Sequence, residues 1–223
     1  MKKKYILWDF DGTVLNSNNI IIDSWQATSL HYTGKKLPVE DVVATFGETI
    51  RYTARKFWPD VDVEEAITYY RNYQAENLEG NLSIFDGIKE LLDGLKRDGI
   101  SNSIVTSRLK ETTLEYIDRY GLSDCFDVVI TNDDCKTHKP DPEPVTKCIE
   151  KLEGIYGCNI SKDECIMIGD TRFDVGCAKN AGVDSALVGW SHNVDIAVLH
   201  ETDTVPNYTF GRIEDVRSVL ESM

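Results

Sequence analysis

Apolar residues are unevenly arranged along this chain, and the arrangement changes character twice. Tyr5-Ile6-Leu7-Trp8 is a short apolar run that stops at Asp9, and it reads as a buried strand. From about Ile20 to Leu78 the sequence reads helical: Ile20, Ile21, Ser24, Trp25, Thr28 and Leu30 to Tyr32 roughly follow a helical period. Pro38 opens a further helix with Glu40 and Asp41 close behind. Glu48 to Trp58 and Val63 to Leu78 read as two more, parted by Pro59-Asp60. No convincing strand falls in that stretch.

After Leu82 short apolar runs alternate with helical patterns. Helices are predicted over Asp86 to Arg97, Glu111 to Tyr120, Pro142 to Leu152 and Phe173 to Asn180. Strands are predicted over Ser103 to Thr106, Phe126 to Ile130, Cys165 to Ile168 and Val183 to Val188. Ser161-Lys162-Asp163-Glu164 matches a capping box, but the apolar run after it is short and ends in Gly-Asp, so at most one helical turn starts there. Strands alternating with helices imply a parallel sheet covered on both faces. The first strand belongs with the later ones. The expectation is a three-layer α/β/α, Rossmann-like core made of residues 1–15 and 83–223, with an all-α cap inserted as residues 16–82.

Composition narrows the function. The 223 residues suffice for one large domain or a core plus a small insert. A net charge of −14 argues against a nucleic-acid polymer or an anionic membrane as partner. No apolar run is long enough to span a bilayer. Met1-Lys2-Lys3-Lys4 imitates the start of a secretion signal, but its apolar run is too short and ends in Asp9. Lys2 to Lys4 reads as a solvated, frayed terminus. Six cysteines without a CxxC pair or zinc spacing read as reduced thiols of a cytoplasmic protein. The acidic balance repels a phosphate substrate, so a phosphate site would need local inversion of the field by a metal, a lysine or backbone N–H groups.

Four polar features fall just after predicted strands: Asp9-Phe10-Asp11-Gly12-Thr13, then Thr106-Ser107, then Lys139-Pro140, then Gly169-Asp170-Thr171-Arg172-Phe173-Asp174. Singly, each is no more than a turn or a helix cap. In this order, each at a strand end, they converge on one edge of one sheet, where open α/β sheets bind ligands.

These four features resemble the motifs of the haloacid dehalogenase-like superfamily. The helical insert and Lys139-Pro140-Asp141-Pro142 are similar to its phosphoglycolate phosphatase and beta-phosphoglucomutase branch. The resemblance implies a phosphatase that works through an aspartyl phosphate with Mg²⁺ as cofactor. Asp9 would be the nucleophile and Asp11 the general acid and base. Thr106, with the backbone N–H groups of Ser107 and Arg108, would hold the phosphoryl oxygens, and Lys139 would balance the negative charge. Asp9, the Asp11 carbonyl and Asp170 would hold the metal, with Asp174 a ligand through water or an orienting residue. Asp11 argues for phosphate esters or anhydrides, since dehalogenase and phosphonate-cleaving members lack an Asp there. Alternate strand residues lie about 6.6 Å apart, which lets the two carboxylates serve different partners.

In the cap, Gly47-Glu48-Thr49 is expected at the mouth between cap and core, and Asn16 to Asn19 on the hinge side. Arg51 and Arg55 share a helical face and are candidates for a second anionic group on the substrate, although a solvated basic stripe is the simpler reading. Trp25, His31 and Phe46 read as cap core. The leading expectation is a Mg²⁺-dependent phosphatase, monomeric or homodimeric, acting on a small phosphorylated metabolite such as phosphoglycolate, a nucleotide, a sugar phosphate or pyrophosphate. A beta-phosphoglucomutase-like phosphomutase is the alternative enzyme. A phospho-aspartate receiver domain is the alternative from another class, weakened by chain length, the insert and the final acidic motif.

Overall fold

The computed structural model describes residues 3–191 and 205–222. Six strands form one parallel sheet in the order β5 (Val128–Ile130), β4 (Ser101–Val105), β1 (Tyr5–Trp8), β6 (Cys165–Gly169), β7 (Asp184–Val188), β8 (Tyr208–Phe210). β1 is therefore central, flanked by β4 and β6. All three strands point their carboxyl ends the same way, so Asp9, Thr106 and Asp170 leave the sheet side by side.

The two-residue period of the strands divides the core. Ile6 and Trp8 of β1, Ile104 of β4, and Ile166 and Ile168 of β6 pack on one face against α5 (Ile88–Arg97), α6 (Lys110–Arg119) and α9 (Ile213–Ser222). Leu7, Val105, Cys165 and Met167 face the other way, onto α7 (Glu143–Tyr156) and α8 (Arg172–Ala181). Each fully buried Leu or Ile contributes about 1.5–3 kcal/mol of apolar transfer. Asn102 is polar at a core position and is satisfied: Trp8 Nε1 donates to its Oδ1 at 3.1 Å, and its Nδ2 donates to the Leu92 carbonyl at 3.2 Å.

Four helices, α1 (Asn18–Thr33), α2 (Val39–Val43), α3 (Ile50–Phe57) and α4 (Val63–Glu76), bury a cluster of their own that includes Ile22, Trp25, Ala54, Trp58, Ile67 and Tyr70. The ring of Trp25 lies 4.4 Å from that of Tyr70 and 5.7 Å from that of Trp58. The chain enters and leaves this bundle through a short antiparallel pair, β2 (Leu15–Asn16) with β3 (Ser83–Ile84).

The predicted strands and helices occur within a few residues of their expected ends, with differences that have physical causes. β8 and α9 were not anticipated; β8 is three residues long at the sheet edge, too short for an alternation to register. A single 3₁₀ turn covers Lys162–Glu164, as expected, but the Ser161 side chain makes no cap bond. Lys3 corrects the expectation of a frayed terminus, while Lys2 lies outside the described residues. Lys3 is 3% exposed, and its ammonium donates to the Asp163 and Cys165 carbonyls at 2.8 and 3.0 Å and pairs with Asp184 at 2.6 Å. A buried charge persists only with such partners. His31 is another correction: it is exposed and stacks on Tyr69 at 4.2 Å, because that face of α1 turns outward.

Candidate active site

Asp9 follows the last residue of β1, and its amide donates to the Ile168 carbonyl of β6 at 2.8 Å, which fixes the backbone at the sheet edge. Asp170 follows β6 directly. Asp174 is placed by helix capping: Thr171 and Asp174 form a reciprocal capping box at the start of α8, with Thr171 Oγ1 donating to Asp174 Oδ2 at 2.7 Å. Lys139 arrives from the segment after β5 and donates to Asp9 Oδ1 at 2.7 Å and to Asp174 Oδ1 at 2.5 Å. Asp9, Asp170, Asp174 and Lys139 are all buried.

The electrostatics follow from burial. Desolvation pushes the Asp9 carboxyl up to about 7, against the pull of Lys139 and with the push of Asp174. Desolvation also drives Asp170 well above the ordinary carboxyl range, reinforced by Asp9 and Asp174. Burial alone would lower the Lys139 ammonium, but Asp174 and Asp9 outweigh it and raise it. The one buried ammonium thus pairs with two of the three buried acids, Asp9 and Asp174.

The donor set fits a hard divalent cation. Asp9, Asp170 and Asp174 each offer an oxygen within 4.8 Å of the others. Asp170 Oδ2 accepts from Ser191 Oγ at 2.8 Å, whereas its Oδ1 is buried and has no hydrogen-bond partner among the described residues. An orphaned carboxylate oxygen in an acidic cluster is what an oxygen-seeking ion such as Mg²⁺ would satisfy. Gly12 keeps this corner open: its φ is +76°, and a Cβ there would fall 2.0 Å from Asp170 Oδ2.

Asp11 stands apart from that cluster. Its Oδ1 accepts from Ser17 Oγ at 2.6 Å and from Arg108 Nη1 at 2.9 Å. Arg108 is itself clamped: Nε donates to Thr112 Oγ1 at 3.0 Å, and the guanidinium lies 4.7 Å over the Tyr116 ring. Burial alone would lower the guanidinium, and the Asp11 carboxylate offsets it and raises it. Thr106 is buried, and its Oγ1 accepts from the Arg108 amide at 3.1 Å.

The residues expected in the site fall into two groups. Asp9, Asp11, Thr106, Ser107, Arg108 and Asp170 line one cavity of about 120 Å³ between the sheet edge and the helical bundle. At roughly 10–15 Å³ per water by this measure, the space has room for on the order of ten waters. Lys139 and Asp174 lie beneath its Asp9 wall. Gly47 also lines the cavity, and its carbonyl accepts from Ser107 Oγ at 2.9 Å, tying bundle to sheet. Arg51 and Arg55 do not line it: both are exposed on α3, and Arg51 pairs with Glu64. Trp25 and Phe46, expected as cap core, turn out to line the cavity as well.

Sequence reasoning missed Ser17, Ser191, Tyr70, Arg71 and the side chain of Arg108. Ser191 falls soon after a strand end, so the rule that found Asp9 and Asp170 also applies to it. Arg71 had no signal, because α4 carries polar residues around much of its circumference.

The chain matches the haloacid dehalogenase-like hydrolase family over residues 6–188. It is 36% identical to pyrophosphatase PpaX of Bacillus velezensis over 186 residues, covering 83% of each chain. It is 32% identical to pyrophosphatase PpaX of Bacillus cereus over 223 residues, covering 100% of this chain and 99% of the other. Among solved structures, a predicted phosphoglycolate phosphatase from Haemophilus somnus superposes with a TM-score of 0.78 at 20% identity, over 99% of both chains. The motifs at the sheet edge and the length of these matches agree: the chain belongs to the haloacid dehalogenase-like hydrolase family.

Proposed function

We propose that this hydrolase is a Mg²⁺-dependent phosphatase acting on a small phosphorylated metabolite through an aspartyl phosphate on Asp9. The observation that carries the reading is the placement of Asp9: buried at the end of the central strand, bonded to Lys139 on one oxygen and facing the cavity. The pyrophosphatase relatives at 36% and 32% identity support phosphate chemistry for this chain.

Asp9, Asp170 and Asp174, with the Asp11 carbonyl, would hold the ion. When bound, Mg²⁺ offsets the repulsion between a carboxylate nucleophile and a phosphate dianion. Lys139 holds Asp9 in one orientation and, with its fixed positive charge, favours the ionised carboxylate that attack requires. An Asp9 oxygen bonds to phosphorus as the bond to the leaving oxygen breaks. Asp11, whose carboxylate pairs with Arg108 in the resting site, takes up a proton from solvent as substrate enters and gives that proton to the leaving oxygen. Asp11 then takes a proton from the water that attacks phosphorus, and the bond from phosphorus to Asp9 breaks to release phosphate. Thr106 and the backbone N–H of Ser107 bind the phosphoryl oxygens. The helical bundle, which we read as a cap, closes over the reaction and limits water.

Phosphate release from pyrophosphate, phosphoglycolate and p-nitrophenyl phosphate, measured with Mg²⁺ and again with EDTA, tests this. Release with Mg²⁺ and silence with EDTA is the expected pattern. Absence of release from all three with Mg²⁺ would refute the reading.

A further inference from the structure

Among the described residues, the cavity wall carries one cation with no anionic partner. Among the described residues, its acidic side chains are Asp9, Asp11, Glu48 and Asp170, and its basic ones are Arg71 and Arg108. Asp9 is matched by Lys139 and Asp11 by Arg108. Glu48 is matched by Lys56 at 3.1 Å and also accepts from Thr53 at 3.0 Å. Arg71, half-buried on α4, has neither an ion pair nor a hydrogen bond among the described residues. In a chain with net charge −14, carboxylates are abundant, so an arginine that faces the cavity with none paired to it among the described residues is suited to an anionic ligand.

Arg71 belongs to the bundle, while the reacting groups belong to the sheet edge, so it faces the part of a bound molecule that projects away from Asp9. Its neighbour Tyr70 is buried and lies close enough to Arg108 and Asp11 for their charges to act on its phenol. That places the Tyr70-Arg71 step of α4 beside the arginine that holds Asp11. Gln74 donates to the Tyr70 hydroxyl at 2.9 Å and fixes this part of the helix. An anionic group entering here would meet a planar, five-donor guanidinium suited to carboxylate or phosphate oxygens.

We propose that Arg71 is a specificity-determining residue that binds a second anionic group on the substrate, so that the enzyme favours compact phosphate esters or anhydrides whose non-transferred portion is itself anionic. The inference rests on the phosphatase reading above and names its substrate class. It transfers to Arg71 the role that the sequence suggested for Arg51 and Arg55, which lie off the cavity.

The test compares kcat/KM for pyrophosphate and phosphoglycolate, which carry the second anion, with kcat/KM for p-nitrophenyl phosphate, which does not. A hydrogen bond between charged groups contributes about 1.5–3 kcal/mol, or roughly ten- to a hundredfold. Arg71→Ala should lower the ratio of anionic to aryl substrate by about that factor, chiefly through KM, and Arg71→Lys should regain part of it. Arg71→Gln, which keeps length and polarity, should behave like the alanine variant if folding is intact by circular dichroism. A ratio unchanged in Arg71→Ala and Arg71→Gln, or one that falls only in Arg51→Ala, would overturn the assignment. So would a wild type that hydrolyses only the aryl phosphate. A wild type that releases phosphate from none of the three fails earlier, at the phosphatase reading, and takes this inference with it.

Discussion

Lys139 Nζ lies 2.7 Å from Asp9 Oδ1, with both groups buried at the carboxyl edge of the sheet. The contact joins residues 130 positions apart and gives the site its electrostatic logic. One ammonium serves Asp9 and Asp174 together, while Asp170 keeps an oxygen without a partner.

Removing that ammonium should cost both activity and stability. Lys139→Ala leaves three carboxylates buried together, and breaking a buried pair from one side costs about 3–5 kcal/mol. Urea unfolding of the metal-free variant at pH 7.5 should show a loss of that order, and phosphate release should fall to near background. Mg²⁺ should restore part of the stability, because it supplies positive charge to the same cluster.

The metal-free protein should lose stability as pH rises. Burial holds Asp9 at about 7 against an ordinary value of 3.8. Between those values the folded state retains a proton that the unfolded chain has released, so folding is favoured at low pH and that contribution is lost as pH climbs from about 4 to about 7. Asp170, raised by the same cause, adds in the same direction. Urea midpoints of EDTA-treated protein across this range should fall, and Mg²⁺ should flatten the fall. A midpoint that rises through the window would contradict the burial argument.

Ser191 should set metal affinity. Asn18 Nδ2 donates to Ser191 Oγ at 2.7 Å, and Ser191 Oγ donates to Asp170 Oδ2 at 2.8 Å. Removing a group that orients a metal ligand typically costs 10–100-fold in metal affinity. Ser191→Ala should therefore raise the Mg²⁺ concentration for half-maximal phosphate release by roughly that factor, with a smaller effect on the rate at saturating Mg²⁺.

Gly47 should resist substitution. Its φ is +90°, and a Cβ there would lie 2.8 Å from both Phe173 and Thr171. Gly47→Ala combines about 1–3 kcal/mol of backbone strain with a clash against the start of α8. It should push the loop off the sheet edge, weaken the bond from Ser107 to the Gly47 carbonyl, and lower kcat/KM more than it lowers thermal stability.

Much of the sheet edge was legible because strand ends are punctuated. Asp9, Thr106 and Asp170 each follow an apolar run, and the alternation of runs and helices implied a parallel sheet, whereas the strand order was not legible. The helices between Asn18 and Glu76 were legible from their helical period and the proline breaks between them. What escaped depends on rotation and approach in three dimensions. Helical spacing placed Arg51 and Arg55 on one face of α3 without indicating that this face turns away from the cavity. Arg71 and Tyr70 gained significance only where α4 meets Arg108. Lys3 resembled a frayed end until the carbonyls at the start of β6 closed around it.

The central claim is that Asp9 is the nucleophile, and substitution at that atom tests it most directly. Asp9→Asn keeps the shape of the side chain and removes the charged oxygen. Phosphate release from pyrophosphate and p-nitrophenyl phosphate at saturating Mg²⁺ should fall on the order of a thousandfold or more, with the far-ultraviolet circular dichroism unchanged. An Asp9→Asn enzyme that folds and retains near-wild-type release would contradict the account.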